Sequence, residues 1–252
     1  MMKRFLLLLC FAASLLRGAE MGRLDPVSGN FLVTTDHWHC SFLQGSLFPG
    51  EFVFSDGTAP GSFIFDPAAT DGKGRTFFLR QERWAETKIL RNDENACVIE
   101  RSGCFWRNVS PLISRLDGVE AVCRYEFARK SPGIVMKFTF RKKADISCTV
   151  NRCFALSWYF EQPFGAIAAR GGREPFVLGG KKPPRTWDVP GEIVLESPAF
   201  RVTLKSKRVI ASLRRKGAVF PCSLDGGLWQ FRWEKGETLL EREAVLVVEK
   251  TR

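Results

Sequence analysis

The run Arg80-Gln81-Glu82-Arg83-Trp84-Ala85-Glu86-Thr87-Lys88 is the densest group of side chains able to do chemistry in this sequence. Alternate residues of a strand share a face, so a strand here would set Trp84 among Arg80, Glu82, Glu86 and Lys88. A large aromatic ring in the company of four charges belongs at a surface more readily than in a core. An exposed indole can pack on the apolar C–H face of a pyranose while flanking charges bond its hydroxyls. The competing reading is a Trp that covers a sheet edge with charged stems packed around it.

A second group lies between Gly171 and Trp187, where Arg173, Lys181, Lys182 and Arg185 follow Arg170. Glycines free the backbone there, and cations can bond carboxylates or sulfates, bidentately in the case of Arg. The alternative is a solvated loop with no ligand. A third group is His37-Trp38-His39-Cys40. On a strand both imidazoles share a face at a spacing suited to two metal ligands, but nothing fixes a third. We therefore expect a polar strand face and assign no metal and no cofactor.

Several chemistries have no match in the sequence: G-x-S-x-G, a Walker loop, H-E-x-x-H and a dinucleotide fingerprint are all missing. With two histidines, general-base work would fall to a carboxylate, Tyr159 or a lysine of shifted pKa. No catalytic residue is singled out. Carboxylate pairs for glycoside hydrolysis depend on the fold and not on spacing.

The elements that must position these groups read as strands. Ala121, Cys123, Tyr125 and Phe127 alternate with Glu120, Arg124 and Glu126. After Ser131-Pro132-Gly133, Ile134, Met136, Phe138 and Phe140 alternate with Lys137, Thr139 and Arg141. That is the pattern of a β-hairpin with one wet and one dry side. Phe200, Val202 and Leu204 repeat it, as do Trp229, Phe231 and Trp233. Ala244 to Val248 is apolar on both faces, as a central strand is. Trp158, Trp229 and Trp233 fall on apolar faces and read as core. Asn108 to Leu116 allows a short helical turn, with Ser110 as cap and Pro111 at its first position. Turn residues punctuate the strands at Ser55-Asp56-Gly57, Asp71-Gly72, Ser102-Gly103 and Asp225-Gly226-Gly227. Gln162 to Gly191 reads as a long functional loop or a boundary between halves. About a dozen short strands of this kind predict an all-β fold, a large antiparallel β-sandwich.

Lys3 and Arg4, an apolar run from Phe5 to Ala13, and small residues at Ser14, Gly18 and Ala19 have the three-part form of a secretory signal peptide. The expectation is a leader over 1–19 and one β-sandwich domain over 20–252, exported to the cell envelope or beyond. No later stretch has the roughly 20 apolar residues of a membrane helix. Removing Lys3, Arg4 and Arg17 lowers the net charge from +11 to about +8, spread along the chain. Such a balance suits an anionic extracellular partner, such as an acidic or sulfated glycan, or only a solvated basic surface. Nucleic acid is not expected without a recognisable binding module. Removing Cys10 leaves seven cysteines, so at most three internal disulfides can form. Cys123, on a dry strand face, reads as a small hydrophobe.

The final third resembles the C-terminal half of the galactose-mutarotase-like β-supersandwich, found in sugar epimerases, glycan lyase domains and glycosidase domains. The resemblance is carried by Leu156-Ser157-Trp158-Tyr159-Phe160, Pro163-Phe164-Gly165, and the strands Glu192 to Ser197 and Phe200 to Lys205. Trp233-Glu234-Lys235-Gly236-Glu237, leading into the closing strand, completes it. It implies a supersandwich that handles saccharides. The family's catalytic pairing of a histidine base with a glutamate deeper in the sheet has no counterpart, because both histidines are N-terminal. The expected function is an exported carbohydrate-binding sandwich contacting ligand through Arg80, Glu82, Trp84, Glu86, Arg173 and Arg185. A glycan-active enzyme on the same scaffold and a non-catalytic envelope protein stay open beside it.

Overall fold

The computed structural model describes residues 20–60, 62–65, 67–109, 111–151, 155–160, 167–171, 174–178, 185–196, 199–213, 220–226, 230–233 and 236–251. β1 (Gly22–Leu24), β2 (Phe31–Thr34), β3 (Trp38–Phe42) and β4 (Pro49–Phe54) form a four-stranded antiparallel sheet in chain order. The other sixteen described strands join one antiparallel hydrogen-bonded network. They are β5 (Ser62–Phe65), β6 (Ala68–Asp71), β7 (Thr76–Phe78), β8 (Glu86–Asn92), β9 (Ala96–Val109), β10 (Leu112–Ala128), β11 (Gly133–Lys142) and β12 (Cys148–Asn151). The remainder are β13 (Ala155–Phe160), β14 (Ile167–Gly171), β15 (Glu174–Leu178), β16 (Arg185–Glu196), β17 (Phe200–Leu213), β18 (Phe220–Gly226), β19 (Gln230–Trp233) and β20 (Leu239–Lys250).

The middle of the network runs β17-β20-β11-β10-β9, and its long strands exchange partners along their length. β9 meets β8 at Cys97 to Ser102 and β7 at Trp106, while β17 leaves β20 after Ser206 and takes up β18. Strands that change neighbours let a large twisted sheet curl round its own core.

Alternation explains the register. Cys123 pairs with Phe138, Tyr125 with Met136 and Phe127 with Ile134, and all six are buried. A one-residue slip would turn each of these side chains to water, at about 1.5–3 kcal/mol for each large one. The Ser131 hydroxyl oxygen accepts from Gly133 N–H at 3.0 Å and tightens the predicted turn. β20, apolar on both faces, sits between β11 and β17 as expected of a central strand.

The dry face of the middle strands is covered in two places. At one end the four-stranded sheet packs on it, with Phe42 and Tyr125 rings 5.0 Å apart edge to face and Trp38 and Phe127 at 6.2 Å. Phe54 stacks on Phe200 at 5.6 Å. At the other end Phe105 and Phe140 share the same buried cluster with Ala69, Phe77, Cys148, Val150 and Trp233. Trp233 is core, as predicted; the side chain of Trp158 and all of Trp229 lie outside the described residues.

Four expectations are corrected. Residues 108–116 turn between β9 and β10 as a hairpin rather than a helix, because Val109↔Leu112 and Ile113↔Asn108 pair across it. Ser102-Gly103 is strand interior, paired with Val122 and Ala121, and not a turn. Residues 162–191 are not one loop, since β14, β15 and the start of β16 lie within them. Residues 80–88 are not one strand: Leu79–Gln81 is a 3-10 turn, 82–84 is irregular, and β8 starts at Glu86. Among the described residues no helix is long and apolar enough to cross a membrane.

Candidate functional site

The corner formed by residues 79–85 is built around one carboxylate. Leu79 is buried, and its N–H bonds the Pro67 carbonyl at 3.0 Å, which anchors the 3-10 turn. Glu82 ends that turn in extended conformation, with φ −60° and ψ 135°, and this sends its side chain inward. Only 3% of Glu82 is exposed. Oε1 accepts from the backbone N–H groups of Arg83 and Trp84, both at 2.8 Å. Oε2 accepts from Cys104 N–H at 2.6 Å and from the Trp106 indole N–H at 3.0 Å. Four donors on one carboxylate compensate its burial. They also weld the corner to β9.

Gly103 makes room for this arrangement. A Cβ there would lie 2.6 Å from Glu82 Cγ and 2.7 Å from Oε2. Gly45 does the same from the β3–β4 loop: with φ +71° it lies so close to the Arg83 carbonyl that a Cβ would sit 1.8 Å from the oxygen. Ala85 N–H bonds the Gly45 carbonyl at 3.0 Å, and Asn108 N–H bonds the Gln81 side chain at 3.0 Å. The corner is therefore held from three sides.

What it presents is an indole pair. Trp84 is 64% exposed, and its ring lies 4.8 Å from that of half-buried Trp106, tilted by 47°. Arg115 stands opposite Trp106 across the β9–β10 pair and is bonded to Asp117 at 3.0 Å. Arg83 Nη1 donates to the carbonyls of Arg80 and Glu82, at 2.9 and 3.0 Å, and the Arg80 guanidinium lies 5.2 Å above the Phe78 ring. Arg80, Arg83 and Arg115 are exposed, so the platform is fringed by cations. Burial raises the Cys104 thiol pKa, which keeps this nearby sulfur protonated and weakly nucleophilic at neutral pH. The arrangement suits stacking and hydrogen bonding rather than covalent chemistry.

The predicted residues divide accordingly. Trp84 is exposed, and Arg80 and Glu86 are exposed near it in sequence, with Glu86 opening β8 opposite Ser102. Glu82 is a buried support and not a surface contact, because its oxygens are taken up by protein donors. Arg185 is the first residue of β16, paired with Leu213, and Arg173 lies outside the described residues. His37 stands before β3 with Nε2 3.1 Å from the Lys130 carbonyl, while His39 is on the exposed face of β3. The two therefore do not share a strand, and among the described residues no group of three metal-ligating side chains gathers. Trp106 was not foreseen. It neighbours Phe105 in the strand, and only the structure shows that Phe105 is the one fully buried.

The chain matches no protein-family model, and no curated protein matches it in sequence. Solved structures do match its fold. An alpha-galactosidase from Lactobacillus brevis superposes with a TM-score of 0.57 at 9% identity, over 90% of this chain and 40% of that one. A GH36 alpha-galactosidase from Geobacillus stearothermophilus in complex with stachyose gives 0.60 at 11% identity, over 88% of this chain and 41% of that one. An alpha-mannosidase from Enterococcus faecalis gives 0.58 at 8% identity, over 93% of this chain and 30% of that one. The chain thus spans about two fifths or less of the length of these enzymes. At such identities the likeness is one of fold alone, that of a large antiparallel β-sandwich.

Proposed function

We propose that this chain is an exported carbohydrate-binding β-sandwich, and that saccharide stacks on the Trp84–Trp106 pair. The observation that carries this reading is an exposed indole, Trp84, whose backbone N–H and whose partner's indole N–H are both bonded to one buried carboxylate. Such rigidity lowers the ordering cost of binding. An indole face suits the C–H face of a pyranose, and the surrounding arginines suit hydroxyls or carboxylates. The fold neighbours include one GH36 alpha-galactosidase solved with stachyose and, as a second variant, with raffinose, so neutral galactosides are one ligand class to test. The net charge of about +8 left without the leader's three cations supports a second class, acidic or sulfated glycans.

Tryptophan emission of the purified chain, titrated with raffinose, stachyose, a polyuronate and a sulfated polysaccharide, tests the reading. At least one should shift the emission saturably, and Trp84→Ala should abolish the shift while leaving the melting temperature within a few degrees. An unchanged spectrum across all four would end the proposal. A response confined to the sulfated or uronate polymers, and lost in salt, would assign the anionic class.

A further inference from the structure

The β9–β10 hairpin ends in a finger that nothing in the described fold covers. Beyond Trp106, the last residues of β9 pair only with Leu112, Ile113 and Ser114 of β10. Its described tip residues are Val109, Pro111, Leu112 and Ile113. Val109 is 51% exposed, Leu112 74% and Ile113 63%, and Pro111 is exposed beside them. β-branched and leucine side chains at a turn oppose the usual rule that hairpin ends are polar. Placed in water they gain nothing for the fold, so their apolar area is free to be buried elsewhere.

We propose that this finger inserts into the surface of an anionic lipid bilayer. Two features favour a bilayer over a protein partner. A convex tip of four apolar residues offers far less than the roughly 800 Å² per partner of a standard protein interface. A deformable medium can surround such a tip from all sides. Charge is the second feature. Arg107 and Arg115 lie behind the tip on its two strands, and exposed Arg80 and Arg83 occupy the corner bonded to the finger's base through Gln81 and Asn108. A cationic ring behind an apolar point matches an anionic headgroup layer over an acyl core. The acids on the β10 side are Asp117, ion-paired with Arg115, and Glu120 farther from the tip.

The test is co-sedimentation of the full chain with vesicles of phosphatidylcholine alone and of phosphatidylcholine with a quarter phosphatidylglycerol. Binding should appear with the second composition and fall at least several-fold between 50 mM and 500 mM salt. The pair Leu112→Asn with Ile113→Asn should reduce it about tenfold or more. Arg107→Gln should weaken it less and flatten the salt dependence. Far-UV circular dichroism and the melting curve confirm that the variants fold, and a fluorophore attached at position 112 gives a second readout by shifting to the blue on contact. Failure of the wild-type chain to bind the anionic vesicles, or equal binding by the Asn pair, overturns the proposal. Trp84→Ala should leave vesicle binding intact, so this result and the saccharide titration succeed or fail separately.

Discussion

Two buried charges engage the same strand, β9, and are treated in opposite ways. Glu82, 3% exposed, has each oxygen engaged by two N–H donors. Arg101, 2% exposed and on the same strand as two of the groups that engage Glu82, has one hydrogen bond, from Nη2 to the Leu43 carbonyl at 3.2 Å. Its Nε and Nη1 have no hydrogen-bond partner among the described residues, and its guanidinium lies 5.3 Å over the Phe42 ring. A π face and one carbonyl replace only part of the water that a guanidinium gives up. The comparison separates a buried ion that organises its surroundings from one that its surroundings merely contain. Glu82 determines where two strands and two indoles sit. Arg101 tethers one loop carbonyl at a net cost.

Removing Glu82 should have the largest effect. Glu82→Ala strands the buried donors among four N–H groups, and we expect a loss of about 3–5 kcal/mol in chemical denaturation. The near-ultraviolet dichroism of the Trp84–Trp106 pair should collapse with it. Glu82→Gln would sharpen the point: an amide has one acceptor oxygen, so its NH2 must face two donors and most of the loss should persist. Gly103→Ala comes next, at about 1–3 kcal/mol, because its methyl collides with the Glu82 side chain. If that variant is as stable as the wild type, the corner is looser than its geometry implies.

Arg101→Met should move stability by no more than about 1 kcal/mol, in the stabilising direction, since a well-packed apolar chain sheds two unpaired donors. A loss on the scale of Glu82→Ala would break the comparison outright. The smallest effect at neutral pH concerns two buried thiols of the middle strands, Cys123 beside Arg101 and Cys97 farther along β9. Burial pushes the Cys123 thiol up to about 12, against smaller opposing effects of Tyr125 and of the Arg101 cation, and burial likewise raises Cys97 to about 12. In the unfolded chain these thiols ionise near pH 8.5. Above that pH the unfolded state releases protons that the folded state keeps, so stability should fall as pH rises from about 9 toward 12. Denaturation midpoints that stay flat from pH 8 to 11 would contradict it.

Legibility in the sequence followed periodicity. The hairpin from Glu120 to Arg141 and the central place of β20 could be read because one-sided burial forces alternate residues to match. The exposure of Trp84 could be read from its charged company. Its neighbours were misplaced because strand logic assumes that Glu82 points the way Trp84 does. A 3-10 turn breaks that parity and sends the carboxylate inward. The stretch from Gln162 to Gly191 looked like loop because its glycines and prolines obscure the pattern, yet backbone pairing carries three strands into it. Trp106 stayed hidden because a Trp beside a Phe in a strand gives no sign of which one faces the core.

By itself the sequence determined the all-β class, the dry face of the central strands and the surface character of Trp84, because these follow from side-chain type at period two. Only the tertiary structure decided that Glu82 is a buried hub, that Trp106 joins Trp84, and that Val109, Leu112 and Ile113 project unaccompanied. Each of these depends on which groups distant in the chain come within hydrogen-bonding or packing distance. No local pattern encodes that.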